Sequence, residues 1–240
     1  MYPSRLACFA FVSLALAMPV AAAESEPILE EVIVTATLRP AASLEVPASV
    51  TVLDRATLKE AGLQHLQDVL PLVPNLNWAS GSSRPRYFQL RGIGETDQWQ
   101  GAPNPSVGFL IDGMDFSGIG MPAMLLDLEQ IEVLRGPQGT TFGANALAGL
   151  LHVRSQKPTD EQQQRWEASW GEAGVASLGL VAGGALGSES AWRIAAQRYR
   201  ADGARDNEFL GRDDTNGLSE DTLRWRSTHR FAPQWQADWS

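Results

Sequence analysis

"LRGPQGTTFGANALAGLLHVRSQKP" (residues 134–158) places Gly136, Gly139, Gly143 and Gly149 a few residues apart beside Pro137, then runs into an apolar stretch. Such spacing means that the backbone turns tightly or passes close to something. A phosphate cradle is one candidate. A Walker loop, however, sets a lysine directly after its last glycine to reach the phosphates, and here Thr141 and Phe142 stand where that signature would close. The chain's only lysines, Lys59 and Lys157, lie elsewhere. The nucleotide reading is disfavoured, and the glycines need an explanation from the rest of the chain.

Downstream, the character changes at residue 159. "RWEASWGE", "VASLGLVAGG", "SAWRIAAQRYRAD", "DTLRWRSTHRF" and "QWQADWS" are strand-length pieces, several alternating large or apolar residues with polar ones. The joints "ALGSES" and "APQ" are short, whereas "GARDNEFLGRDDTNGLSE" is long and charged. Short turns on one side and long loops on the other are the asymmetry of an outer-membrane barrel. Trp166, Trp170, Trp192, Trp225, Trp235 and Trp239 would suit its aromatic girdle. A soluble β-sandwich with exposed tryptophans is the other reading of this segment.

Upstream, Tyr87–Arg91, Val107–Ile111, Gln130–Leu134 and Leu150–Arg154 read as short strands between loops rich in Gly, Ser, Asn and Pro. "SVTVL" (49–53) reads as a further strand. It leads into a short helix with Asp54 as N-cap and Gly62 as its stop, and a second helical turn follows around Leu66–Leu70. Together these make a compact α+β unit over residues 46–158. Residues 24–45 form a Pro- and Ala-rich extended leader. One island in it, "EEVIVTAT" (30–37), is β-branched and apolar, a strand with no partner inside the leader. Residues 1–23 read as a cleaved export signal: Arg5, an apolar run from Leu6 to Val20, then Ala21, Ala22 and Ala23.

Cys8 is the only cysteine and leaves with that signal, so no disulfide, zinc cluster or cysteine nucleophile is expected in the exported chain. Removing Arg5 from 19 basic residues leaves 18 against 28 acidic ones, a net charge of −10. That sign argues against a nucleic-acid partner. His65, His152 and His229 lie on different segments, and neither an H-E-x-x-H pair nor a G-x-S-x-G elbow occurs. "RDDTNG" approaches a calcium loop but puts Arg212 at the first ligand position. The expectation is therefore no enzyme, no cofactor and no metal site.

Taken in order, these segments resemble the N-terminal part of a TonB-dependent outer-membrane receptor. "EEVIVTAT" is similar to the TonB box, and "FQLRGIG", "VGFLIDGM", "LEQIEVLRGPQGTTFGAN" and "GLLHVRSQKP" are similar to successive landmarks of the plug domain. The sequence departs from the usual pattern at Ala144, Ala148 and Leu150–His152. The resemblance implies an α+β plug domain, a small mixed sheet with short helices, followed by the first antiparallel strands of a transmembrane β-barrel. It implies TonB-dependent uptake of a scarce ligand across a Gram-negative outer membrane, with a ferric siderophore as the expected class and cobalamin, heme or a saccharide as alternatives. A soluble periplasmic or secreted β-rich binding module is the competing function.

The resemblance also assigns residues. Glu31, Val32, Ile33, Val34, Thr35 and Ala36 would bind the TonB C-terminal domain, working with the inner-membrane energising complex, by adding a strand to its sheet edge. Arg91, Gly92, Gly94, Arg135, Gly136, Pro137, Gly139, Gly143 and Asn145 would contact the barrel, the two arginines through wall carboxylates. Arg84, Gln98, Trp99 and Phe116, at outward tips of the plug, would bind the ligand, and outer-membrane lipid would surround the strands. The opening glycines would then let a plug turn and pack inside a barrel. Residues 159–240 hold four or five strands, whereas a closed single-chain barrel needs at least roughly 8. A truncated gene model, a split gene or a remnant, unable to transport alone, is the expectation.

Overall fold

The computed structural model describes residues 33–35, 41–42, 45–80, 85–97, 105–119, 124–203 and 205–240. The export signal read over residues 1–23 lies outside them. Two short strands come first, β1 (Ile33–Val34) and β2 (Ala41–Ala42). The β-branched run 49–53 forms β3 (Ser49–Asp54), which passes directly into α1 (Arg55–Glu60). Asp54 caps that helix, its carboxylate accepting the Thr57 N–H at 2.8 Å, and Gly62 ends it by donating its N–H to the Lys59 carbonyl. The Thr57 bonds outweigh burial and hold the Asp54 carboxyl below its ordinary range. Asp54→Ala is expected to cost about 1 kcal/mol, seen as roughly fivefold faster hydrogen exchange at Thr57.

α2 (Leu66–Val69) and a 3-10 turn (Leu70–Leu72) follow, then β4 (Leu76–Ala79) and β5 (Tyr87–Leu90). β4 is absent from the sequence reading: Leu76–Ala79 has no alternation of its own, and its ladder to β5 (Leu76↔Leu90) makes it a strand. β5 stops one residue earlier than expected, because Arg91 turns to a left-handed φ of 53°. β6 (Val107–Ile111), β7 (Met114–Asp115), β8 (Leu128–Arg135), α3 (Gly139–Phe142) and β9 (Gly149–Ser155) complete the unit.

Five of these strands form one mixed sheet in the order β3-β8-β9-β6-β7, antiparallel except where β6 meets β9. One face carries Leu53, Ile131, Val133, Leu151 and Phe109, packed with Leu58, Leu66, Val69 and Leu70 from the helical segments. The opposite face holds a smaller cluster of Leu110, Leu134 and Leu150, with Val50 and Phe142 against it. The opening stretch is the connection between β8 and β9. At its end Gly149 lets β9 begin against β5 and β8: a Cβ there would stand 2.4 Å from both the Leu134 carbonyl oxygen and Leu90 Cδ1.

The remaining strands are β10 (Gln163–Trp170), β11 (Ala176–Ala185), β12 (Ser190–Ala201), the small hairpin β13 (Arg205–Asn207) and β14 (Arg212–Thr215), β15 (Leu218–Ala232) and β16 (Trp235–Trp239). They form an antiparallel sheet in the order β10-β11-β12-β15-β16. Their alternation is inverted relative to a soluble domain. The buried rows are mostly small or polar (Ser177, Arg193, Ala195, Gln197, Glu220, Thr228, beside Val181 and Tyr199), whereas Trp166, Trp170, Leu178, Leu223, Trp225, Phe231 and Trp235 are exposed. A soluble sandwich would bury those apolar side chains against a second sheet. No helix among the described residues is long and apolar enough to cross a membrane, a fact silent about strands.

Candidate functional site

The described part of the island at residues 30–37 is built into the plug. Its described part, Ile33–Thr35, pairs antiparallel with β2 (Ile33↔Ala42, Val34↔Ala41), which corrects the expectation that it has no partner in the leader. Alanine carries little β propensity, so this partner is silent in composition. Val34 is fully buried. Glu31, Val32 and Ala36 lie outside the described residues.

Below this strand lies a polar cluster in the sheet. Glu132, central on β8 and fully buried, accepts from the Thr35 N–H at 3.0 Å and the Thr35 hydroxyl at 2.8 Å, both on Oε1. Gln130 Nε2 donates to the Ile33 carbonyl at 2.9 Å and also to Glu132. Arg154 on β9 reaches Thr35 Oγ1 at 2.5 Å and Glu129 at 3.2 Å. The His152 ring stands 3.6 Å from Glu132 Oε2, across the β8–β9 pairing. Burial by itself would raise the Glu132 carboxyl. The His152 ring and the Thr35 and Gln130 donors outweigh it and bring the carboxyl down to about 2. Of its side chains only Thr35 is assigned from the sequence; the remaining signal is a carboxylate, Glu132, inside the apolar run of residues 131–134.

Arg91 and Arg135 lie near one another on the plug. Arg135 donates to Thr51 Oγ1 at 2.8 Å and to the Pro74 carbonyl at 3.1 Å, and the Arg91 N–H bonds to the Asn75 carbonyl. Burial, together with the Arg91 charge, lowers the Arg135 guanidinium from its ordinary value. Among the described residues neither guanidinium has an ion pair. Gly92 and Gly94 close the turn after β5, and Gly136 and Pro137 lead to α3, which runs from Gly139 to its cap at Gly143. Asn145 donates to Asp115 Oδ2 at 2.7 Å, a plug contact.

Among the described residues, the bonds between plug and strands come from other side chains, most of them strand arginines on plug carboxylates and carbonyls. Arg193 on β12 grips Asp127 through Nε–Oδ2 at 2.6 Å and Nη2–Oδ1 at 2.5 Å. Arg226 on β15 reaches the Ser155 carbonyl at 2.9 Å and Asp112 at 3.4 Å, and Arg224 donates to the Leu126 carbonyl at 3.1 Å. His65 Nδ1 accepts the Gln67 N–H, leaving Nε2 to face Glu220 on β15 at 3.4 Å.

Of the expected ligand contacts, Arg84, Gln98 and Trp99 lie outside the described residues. Phe116 is half-buried and packs against the plug core. The loop bases are tied together: Arg86 Nε donates to the Gly118 carbonyl at 2.6 Å, and the Glu95 carboxylate accepts from the Ser106 N–H and hydroxyl. These bonds bring the segment after Arg84 beside the one after Phe116. No group of three or more potential metal-ligating side chains occurs among the described residues.

Comparison with known proteins places this geometry. The TonB-dependent Receptor Plug Domain family matches residues 42–150. The vitamin B12 transporter BtuB of Vibrio vulnificus is 23% identical over 219 residues, covering 88% of this chain and 34% of the relative. The pesticin receptor of Yersinia pestis is 31% identical over 111 residues, 46% of this chain and 16% of the relative. Among solved structures, the ferric yersiniabactin uptake receptor FyuA from Yersinia pestis superposes with a TM-score of 0.67 at 24% identity, covering 76% of this chain and 29% of that one. The pyoverdine outer membrane receptor FpvA from Pseudomonas aeruginosa gives 0.69 at 18% identity, over 86% and 29%. At those identities the structures speak for the fold alone. The chain spans about a third or less of the length of these curated relatives.

Proposed function

We propose that residues 42–150, which match the TonB-dependent Receptor Plug Domain family, are the plug of such a receptor, and that the chain carrying them serves TonB-energised uptake of a scarce small ligand across the outer membrane. One observation carries this reading: an extended strand with a β-branched, apolar sequence is docked on a plug that is itself seated on strands with exposed apolar rows. Lipid would meet Trp166, Trp170, Leu223 and Trp225, and the polar rows would meet the plug. Residues 24–45, 46–158 and 159–240 then act as leader, plug and wall.

For the ligand, relatives named for ferric yersiniabactin and ferripyoverdine favour a ferric chelate. The vitamin B12 transporter, matched over most of this chain, makes cobalamin the second reading. Arg84, Gln98, Trp99 and Phe116 are the proposed ligand contacts, on loops whose bases the Arg86 and Glu95 bonds hold together. Arg91 and Arg135, two neighbouring cations with no ion pair among the described residues, suit wall carboxylates.

Glu31–Ala36 would leave the plug and add to the sheet edge of the TonB C-terminal domain, main-chain bonds supplying most of the affinity. Ile33→Pro removes a donor and fixes φ in that strand. The expected result is loss of TonB-domain binding and of uptake to background, with ligand binding unchanged. Uptake that survives the substitution would overturn the proposal.

A further inference from the structure

We propose that inward-facing arginines of the wall form a seat that recognises the plug by two acidic turn residues, Asp112 and Asp127, and fixes its position on these strands. The inference rests on reading the strands as a wall around a plug, and it differs from the pairing expected of Arg91 and Arg135.

Arg193 and Arg226 are direct cross-strand partners on β12 and β15, and Arg224 is opposite Ala195 one inward position along. Like charges set opposite each other on one face repel. A row of this kind needs counter-charge: Asp238 on β16 lies near Arg226, and the plug supplies the rest. Asp127 takes Arg193 in a two-pronged grip, with the side chains only 2% and 5% exposed. Arg165 on β10 adds a longer contact to the same carboxylate, at 3.7 Å. Asp112 faces Arg226 and is itself held by the Ser155 N–H at 2.8 Å and hydroxyl at 2.6 Å.

Both aspartates occupy left-handed backbone, φ 62° at Asp127 and 49° at Asp112, where Asp and Asn are the best tolerated side chains after glycine. Both turns are thus shaped to present a carboxylate. Beside Asp127 the fit is also steric. Leu126 packs on Val181 and Ala195, and a Cβ at Gly179 would lie 3.2 Å from both Leu126 methyl carbons. A carboxylate, a carbonyl and a leucine from one plug turn therefore meet two arginines and a small-residue hollow of the wall. Bidentate pairing needs both partners in one orientation, which makes the contact a positioning device as well as an attraction.

The test is a double-mutant cycle with Arg193→Gln, Asp127→Asn and the two combined, in the fraction of cells making the protein that holds it. The readout is the rate at which proteinase K cuts the plug. Each single change strands a buried charge, so cleavage is expected to rise by about 100-fold. The double change leaves a neutral pair able to hydrogen-bond and is expected to return to within about tenfold of the parent. Asn keeps the left-handed turn, so backbone strain does not confuse the result. If the singles fail to accumulate, recovery of accumulation in the double supports the seat. Three variants cleaved at the parent's rate, a double as impaired as the sum of its parts, or three that all fail to accumulate would overturn it. The cycle is read in whichever cell fraction holds the protein, so absence from the outer membrane refutes the proposed function separately.

Discussion

Glu132→Ala is expected to release the β1 strand from the plug and to raise apparent affinity for the TonB C-terminal domain. In the structure that strand is not free to pair elsewhere: Thr35 donates twice to Glu132, Gln130 holds the Ile33 carbonyl, and Val34 is buried. A partner that adds a strand must first undo this, so its affinity is reduced by the fraction of molecules in which the strand is free. The Glu132 carboxyl lies near 2 against an ordinary 4.5. That difference bounds the ionised form's contribution at about 3 kcal/mol, some of it from His152 and Gln130 rather than the strand. A gain of roughly 10- to 100-fold in affinity follows, measurable by calorimetry with the purified TonB domain. Affinity unchanged within error would show that Glu132 does not restrain the strand.

The pH dependence has a definite sign. A carboxyl depressed in the folded state contributes its stability fully above its ordinary value of 4.5 and loses it as pH falls toward about 2. Protease access to residues 33–35 is therefore expected to be low and constant above about pH 5 and to rise through that window. In Glu132→Ala access is high throughout, and the rise is gone.

How much of this was legible beforehand differs by element. Asp54 and Gly62 announced α1 because a cap and a stop act through the local backbone alone. The alternation of β11, β12 and β15 was legible because strand period does not depend on what covers the faces; that the apolar row is the exposed one was not. β2 and β4 were not, since Ala41–Ala42 and Leu76–Ala79 become strands only by pairing with segments distant in the chain or across a turn. The site divides in the same way. Ile33, Val34 and Thr35 stood out by composition, but Glu132, Asp112 and Asp127 matter through what faces them. That Arg193 and Arg226 share a face follows from the β12–β15 register, and that their counter-charges are two plug turns, 66 and 114 residues away, is likewise a property of the fold.

Gly94→Ala is expected to be among the most damaging small substitutions in the plug, costing about 4 kcal/mol or more. After β5 the chain reverses through Arg91 and Gly92, with Leu90 and Ile93 exchanging backbone bonds at 2.9 and 3.0 Å, and Gly94 then lies back against the strand. Its φ is 145°, and a Cβ there would stand 2.2 Å from the Phe88 carbonyl oxygen and 2.9 Å from Gln89 Cα. Both are backbone atoms of β5, whose Phe88 and Leu90 side chains are in the core, so neither can give way cheaply. Gly92→Ala is the internal control: its φ of 80° is also left-handed, but a Cβ would meet nothing within 4 Å, so only conformational strain of about 1–2 kcal/mol applies. The local consequence is functional as well. Gln89 donates to the Glu95 carbonyl, and the Glu95 carboxylate holds Ser106 on the far side of the loop carrying Gln98 and Trp99. Displacing Gly94 should break both ties. Gly94→Ala is thus expected to lower the thermal midpoint and abolish ligand binding, whereas Gly92→Ala keeps binding. Equal effects of the two would mean that close approach to β5 is not what the glycine provides.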